Sequence, residues 1–87
     1  MQKDIFLCRI CAWKLDEPPW GSDNRIPNYE ICPCCGCEFG NDNYALESIR
    51  EYRRSWLEKG AQWFLSKKRP VVLDLEGQLD NISEIYK

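Results

Sequence analysis

The spacing of apolar residues changes near the middle of this chain. Up to about residue 42 they come in short runs beside cysteine pairs. Ile5-Phe6-Leu7 precedes Cys8, Trp13 and Leu15 alternate after Cys11, Tyr29-Glu30-Ile31 precedes Cys32, and Glu38-Phe39 follows Cys37. Runs of this kind predict short extended segments. From Tyr44 to about Ser66 the period becomes helical. A helical wheel gathers Ala45, Leu46, Ile49, Tyr52, Trp56, Leu57, Trp63 and Phe64 on one face, with Glu47, Glu51, Ser55, Glu58 and Gln62 opposite. Burying each large side chain of that stripe contributes roughly 1.5–3 kcal/mol before entropy is counted.

Punctuation along the chain supports the division. Asp16 to Asn28 is rich in Pro, Gly, Asp and Asn and predicts a connecting loop. Trp20 within it is expected as a lid on a small core. Gly40-Asn41-Asp42-Asn43 predicts a turn able to cap the following helix. Lys67-Lys68-Arg69 is expected at the end of that helix, where cations suit the negative end of the macrodipole, and Pro70 blocks continuation. Asp74 can cap a short final helix over Leu75 to Ile82, which is expected to fold back over the main one, with the last residues fraying. Two residues on the helical stripe stand out. Gly60 costs about 1 kcal/mol inside a helix, so it marks either a close backbone approach or a break. Arg53 is expected to stack on Trp56 or Tyr52, to pair with an acid from the N-terminal half, or to pack its stem with its head in water.

The cysteines change this picture most. Cys8-Arg9-Ile10-Cys11 and Cys32-Pro33-Cys34-Cys35 are two C-x2-C turns, and two such pairs supply the four thiolates of a tetrahedral metal site. Gly36 follows the second pair where a knuckle needs positive φ, whereas Ala12 holds that place in the first. Cys34 and Cys37 share the same spacing, so the ligand register is open, and only Cys32 with Cys35 puts Gly after the second ligand. Cys34 is expected as an exposed turn residue or a redox thiol beside the metal, and Cys37 as a small packed residue. Three disulfides are the alternative use of six cysteines in a secreted chain. The four-residue apolar run ending at Arg9 is too short for a secretory signal, and no stretch is long enough to span a membrane, so a cytoplasmic setting and metal ligation are expected.

At 87 residues the chain is one expected domain, 1–87, with residues 1–42 forming a four-cysteine ribbon and 43–87 a helical cover. A chain this short commonly needs a metal, disulfides or a partner to fold. Its net charge of −2, lowered further by a four-thiolate site, does not favour a nucleic-acid backbone. It has no histidine, the usual acid–base residue near neutral pH.

At the knuckles the sequence resembles rubredoxin-like zinc ribbons, through Phe6-Leu7-Cys8-Arg9-Ile10-Cys11, Trp13 and Ile26 to Gly36. The second knuckle with Tyr29-Glu30-Ile31 before it also resembles the small bacterial cysteine-rich CPCC proteins. The resemblance covers about the first 42 residues. It implies a ribbon with Cys8, Cys11, Cys32 and Cys35 as ligands. The expected fold class is therefore α+β: a small ribbon of two knuckle hairpins packed against one long C-terminal helix and a short terminal one. The expected function is a non-enzymatic protein with a structural Zn2+ site, whose four protein ligands leave no position for substrate. It would bind another protein through Trp20, Arg53, Trp56 or Trp63, and a homodimer is compatible with the same aromatic stripe. The alternatives are a rubredoxin-type iron carrier and a nucleic-acid-binding zinc ribbon using Arg50, Arg54 and Lys67 to Arg69.

Overall fold

Two turns built alike dominate the N-terminal half of the structure, a computed structural model that describes residues 5–41 and 44–87. In the first turn the N–H of Cys8 donates to Trp13, that of Ala12 to Cys8, and that of Leu15 to Phe6. In the second, Cys32 donates to Cys37, Gly36 to Cys32, and Phe39 to Glu30. Every partner in one turn has its counterpart 24 positions along, Cys8 matching Cys32 and Cys11 matching Cys35. Positive φ falls at the matching residues, 64° at Ala12 and 81° at Gly36. Ala12 thus takes the left-handed conformation that its sequence position demands, despite its Cβ.

The expected two-hairpin ribbon is not present. Each turn is closed by a single antiparallel bridge, Leu7 with Lys14 and Ile31 with Glu38. The backbone explains why pairing stops there. Tyr29 sits at φ 61°, outside the extended region, and the N–H of Glu30 is taken by the Asn28 side chain. On the other side, Pro18 and Pro19 lack the N–H that a longer strand would need. Residues 16–28 form a run of turns held by Gly21 to Pro18, Asn24 to Gly21, Ile26 to Trp20 and Asn28 to Pro19 bonds.

The main helix, α1 (Leu46–Glu58), is shorter than its apolar pattern predicts. Its stop is a Schellman motif. The Gly60 N–H donates to Leu57 and the Ala61 N–H to Trp56, with Gly60 at φ 96°. Gly60 therefore breaks the helix. A Cβ there would meet nothing within 4 Å, so no backbone approaches it. Trp63 and Phe64 leave the helical stripe and run along the second knuckle, where the N–H groups of Phe64 and Leu65 donate to Cys34 and Pro33. Lys67 and Lys68 lie in a separate 3-10 turn, Ser66–Lys68, and not at the end of α1. The N-cap of α1 is Ala45, which makes no side-chain cap bond. Asp42 and Asn43 of the expected cap lie outside the described residues.

The second helix, α2 (Leu75–Asp80), starts as expected, with Asp74 accepting from the Gly77 N–H at 3.1 Å. The chain beyond it does not fray. Ile82 is buried, and the backbone oxygens of Tyr86 and Lys87 accept from Arg53 and Arg50 of α1.

Six of the ten residues in the buried core are cysteines, and the others are Ile10, Phe39, Ile49 and Trp56. The large apolar side chains are too few to hold this chain without the sulfur cluster at their centre. Within the α1 stripe, Ile49 and Trp56 are buried, while Leu46 and Leu57 lie about 40% exposed.

Two glycines separate backbone from packing effects. Gly60→Ala should cost about 1 kcal/mol, from conformation alone. Gly36→Ala should cost more, about 1–2 kcal/mol from the left-handed backbone plus the contact of a new Cβ with Phe64, 3.1 Å from Cδ1. Urea unfolding of the metal-loaded variants measures both, and equal losses would contradict the account of Gly36.

Candidate metal centre

The two knuckles face each other and bring Cys8, Cys11, Cys32 and Cys35 together. Their four sulfurs all lie within 4.8 Å of one another, and all four residues are buried. The Cys8–Cys35 sulfurs are 3.7 Å apart and the Cys11–Cys32 sulfurs 3.6 Å. A tetrahedron of sulfurs with metal–sulfur bonds of about 2.3 Å has edges of about 3.8 Å. The donors therefore fit one tetrahedral ion. All six cysteines are free thiols, which removes the three-disulfide alternative for this structure.

Burial forces the chemistry of this cluster. It pushes the Cys8 thiol up, but contacts with Cys11, Cys32, Cys35 and Cys37 outweigh it and hold Cys8 well below the usual thiol range. Burial pushes Cys11 well above that range, and its neighbouring sulfurs reinforce the shift. Cys8 and Cys11 are thus pushed in opposite directions within one buried cluster. Four thiolates share so small a dry space only around a cation.

The backbone carbonyls of both knuckles are all paired. Each knuckle has four carbonyls from its first to its second cysteine. In the first, Cys8 accepts from the Ala12 N–H, Arg9 and Ile10 accept from Arg53 Nη2 at 3.0 Å and Nε at 2.7 Å, and Cys11 accepts from Gln78 Nε2 at 2.8 Å. In the second, Cys32 accepts from the Gly36 N–H, Pro33 and Cys34 from the Leu65 and Phe64 N–H groups, and Cys35 from the Tyr52 hydroxyl at 3.0 Å. All eight are satisfied, and six of them by the helical half. Buried backbone acceptors left unpaired would cost about 1–3 kcal/mol each.

Arg53 therefore takes none of the expected roles. Its part-buried guanidinium is bonded to backbone oxygens rather than stacked on Trp56 or Tyr52. It caps the first knuckle, and its third bond, to the Tyr86 oxygen at 2.8 Å, ties the C-terminal turn down. Burial lowers its pKa, and the Cys8 and Cys11 sulfurs pull it back up, as suits a cation beside an anionic cluster.

Of the aromatic residues expected to meet a partner, Trp20 is 4% and Trp56 7% exposed, so both belong to the interior. Trp56 Nε1 donates to the Gln62 carbonyl. Trp63 is half-buried and meets Trp13 edge to face with ring centroids 4.7 Å apart. Cys34 is not exposed: it is fully buried, and its sulfur accepts from Gln78 Nε2 at 3.6 Å. Contact with Cys11 and with Gln78 lowers its pKa against the effect of burial. Cys37 is buried as expected, 3.7 Å from the Cys8 sulfur.

Sequence reasoning missed Arg9 and Gln78. The Arg9 guanidinium lies between the Trp20 ring at 3.8 Å and the Tyr86 ring at 4.7 Å, and donates to Asn24. It pins the 16–28 loop and the C-terminal turn to the first knuckle. Nothing in its neighbourhood along the chain signals this. Gln78 had a signal, because it lies between Leu75 and Leu79 on the apolar side of α2.

Comparison with known proteins adds relatives without an activity. No protein-family profile matches the chain, and no solved structure is significantly similar to it. Two proteins of Bacillus subtilis strain 168 are similar. Uncharacterized protein YoaQ is 31% identical over 75 residues, covering 69% of this chain and 64% of its own length. Uncharacterized protein YozI is 29% identical over 72 residues, covering 64% of this chain and 60% of its own. The chain thus spans a little under two thirds of each relative, and neither name states a function. Among the described residues no helix is long and apolar enough to cross a membrane.

The carbonyl caps give a graded expectation. Tyr52→Phe removes one donor and should cost about 1 kcal/mol, whereas Arg53→Met leaves three acceptors without a partner and should cost about 2–4 kcal/mol. Chemical denaturation at saturating metal reads both, and an Arg53→Met variant as stable as the parent would refute the capping account.

Proposed function

We propose that this is a non-enzymatic zinc protein whose four-cysteine site is structural and which acts by binding another protein. The observation that carries the reading is the closed site: four buried sulfurs at tetrahedral spacing, with both knuckles covered by α1, α2 and the Phe64-Leu65 segment. Four protein ligands leave no position for water or substrate, so the ion holds the fold and performs no hydrolysis. Zinc binding is then part of folding, since the site is absent from the unfolded chain. A reducing cytoplasm keeps the thiols available to it.

Coverage of the knuckles also bears on the rivals. An electron carrier needs an edge of its metal site within reach of a redox partner, and here the most exposed of the four ligands, Cys35, is 5% accessible. Of the cations expected for nucleic-acid binding, Arg50 donates to a backbone oxygen of the C-terminal turn. A protein partner finds apolar surface beside the second knuckle, where Ile31 and Leu65 are each nearly half exposed and line one groove with Pro33.

Metal analysis tests the reading. The native protein should be colourless and carry one zinc per chain. Cys32→Ser should lose the ion and the cooperative unfolding transition. Zinc should also leave as the pH falls through the mildly acidic range, because each ligand must regain a proton. A red protein with stoichiometric iron that bleaches on reduction would establish the electron-carrier alternative instead. For the partner, a photo-crosslinker placed at Leu65 should yield a discrete adduct that excess unlabelled protein suppresses and an Ile31→Glu change removes.

A further inference from the structure

The first knuckle, the 16–28 loop and the C-terminal turn surround a cavity of about 190 Å3. Ile5, Leu7, Ile82 and Ile85 give it apolar walls, and Arg9, Asn24 and Tyr86 bring polar groups to it. The Arg9 guanidinium is held firmly there. It lies between the Trp20 and Tyr86 rings, and Nη2 donates to the Asn24 backbone oxygen at 3.1 Å and to Oδ1 at 3.2 Å. Its Nε is buried with no hydrogen-bond partner. Among the described residues no carboxylate pairs with this cation. The Tyr86 hydroxyl accepts from Asn24 Nδ2 at 3.5 Å, which leaves its own proton available. A part-buried cation with an unmet donor beside an apolar cavity costs stability until an acceptor reaches it.

We propose that this cavity binds a small aliphatic carboxylate, with the carboxylate on Arg9 and the chain between Ile5, Leu7, Ile82 and Ile85. Guanidinium and carboxylate match in plane and in charge, and their hydrogen bonds are stronger than neutral ones. Arg9 is already immobilised by its rings and by Asn24, so binding loses little side-chain entropy there. The volume is somewhat larger than the roughly 150 Å3 cavity that holds benzene, and it suits a molecule of slightly greater size. The apolar walls favour a ligand with a hydrocarbon body over a free phosphate, which would leave them in contact with water. The site goes beyond the structural reading of the ion. Its ligand joins the C-terminal turn to the first knuckle whichever metal that knuckle holds.

Titration of the metal-loaded protein at neutral pH, followed by amide NMR shifts, tests this with sodium hexanoate, 1-hexanol and sodium phosphate as probes. Hexanoate should saturate at one molecule per chain and move the amide signals of Leu7, Arg9, Asn24, Ile82 and Tyr86. Hexanol has the same chain without the charge and should bind at least tenfold more weakly, as should phosphate. Ile85 is 64% exposed, so Ile85→Glu sets a like charge at the rim without disturbing the core. It should weaken hexanoate at least tenfold with metal content and circular dichroism unchanged, and Arg9→Gln should weaken it as much. If Arg9→Gln fails to fold, Ile85→Glu and the three probes decide alone. Absence of saturable shifts, shifts confined to other residues, or an affinity untouched by Ile85→Glu would each overturn the site. Hexanol within tenfold of hexanoate would reduce it to an apolar hollow, and phosphate within tenfold would reduce it to a bare charge. Either result would overturn carboxylate recognition while leaving the zinc assignment standing.

Discussion

Mutual repulsion among buried sulfurs is the constraint on which this molecule depends. Four cysteines from two separate turns converge within 4.8 Å in the driest part of the chain. As thiols they are small apolar filling, and as thiolates they repel one another strongly. A cation held by the four would make the arrangement favourable, and it would join residues 8–11 to residues 32–35 across a loop that has little regular pairing of its own. A core in which cysteines outnumber large apolar side chains follows from that economy.

The second constraint is the polar backbone that such a site drags into the interior. Each knuckle curls its carbonyls away from the metal and toward the rest of the protein. The helical half answers them with donors of different kinds: a guanidinium for Arg9 and Ile10, an amide for Cys11, a hydroxyl for Cys35, and main-chain N–H groups for Pro33 and Cys34. The two knuckles are near copies in their internal bonds, yet the cover treats them differently. An extended segment lies along the second, and side chains reach the first. The helical cover and the metal site are therefore one cooperative unit, because unfolding either leaves buried acceptors or unpaired charge behind.

Much of the site was legible from the residues. C-x2-C spacing gave four sulfur donors and the Gly after the second pair favoured one register, and that tetrad is brought together in the structure. The equivalence of Leu7-Cys8-x-x-Cys11 to Ile31-Cys32-x-x-Cys35 also appears in the backbone bonds. The Asp74 cap and the start of α2 followed from local chemistry. The end of α1 did not, although its signal was present. Lys59-Gly60 is an ordinary helix terminus, but Trp63 and Phe64 continued the apolar period beyond it and obscured the stop. The ribbon strands failed for a related reason. Their residues have the right character, but positive φ at Tyr29 and the prolines at 18 and 19 leave no room to pair.

The sequence by itself determined that two C-x2-C turns can offer sulfur to an ion, because ligand chemistry and turn spacing are local properties of a few adjacent residues, and it left the register of the second pair open. It also determined where the chain can turn sharply, through glycine and proline. Tertiary structure alone decided what covers the site. Whether Arg53 faces water or carbonyls, whether Cys34 lies inside, and whether Arg9 slots between Trp20 and Tyr86 depend on groups 11 to 77 positions away in the chain. No periodicity within a single segment records such distant partners. They follow from the requirement that every acceptor enclosed around the sulfurs find a donor somewhere in the chain.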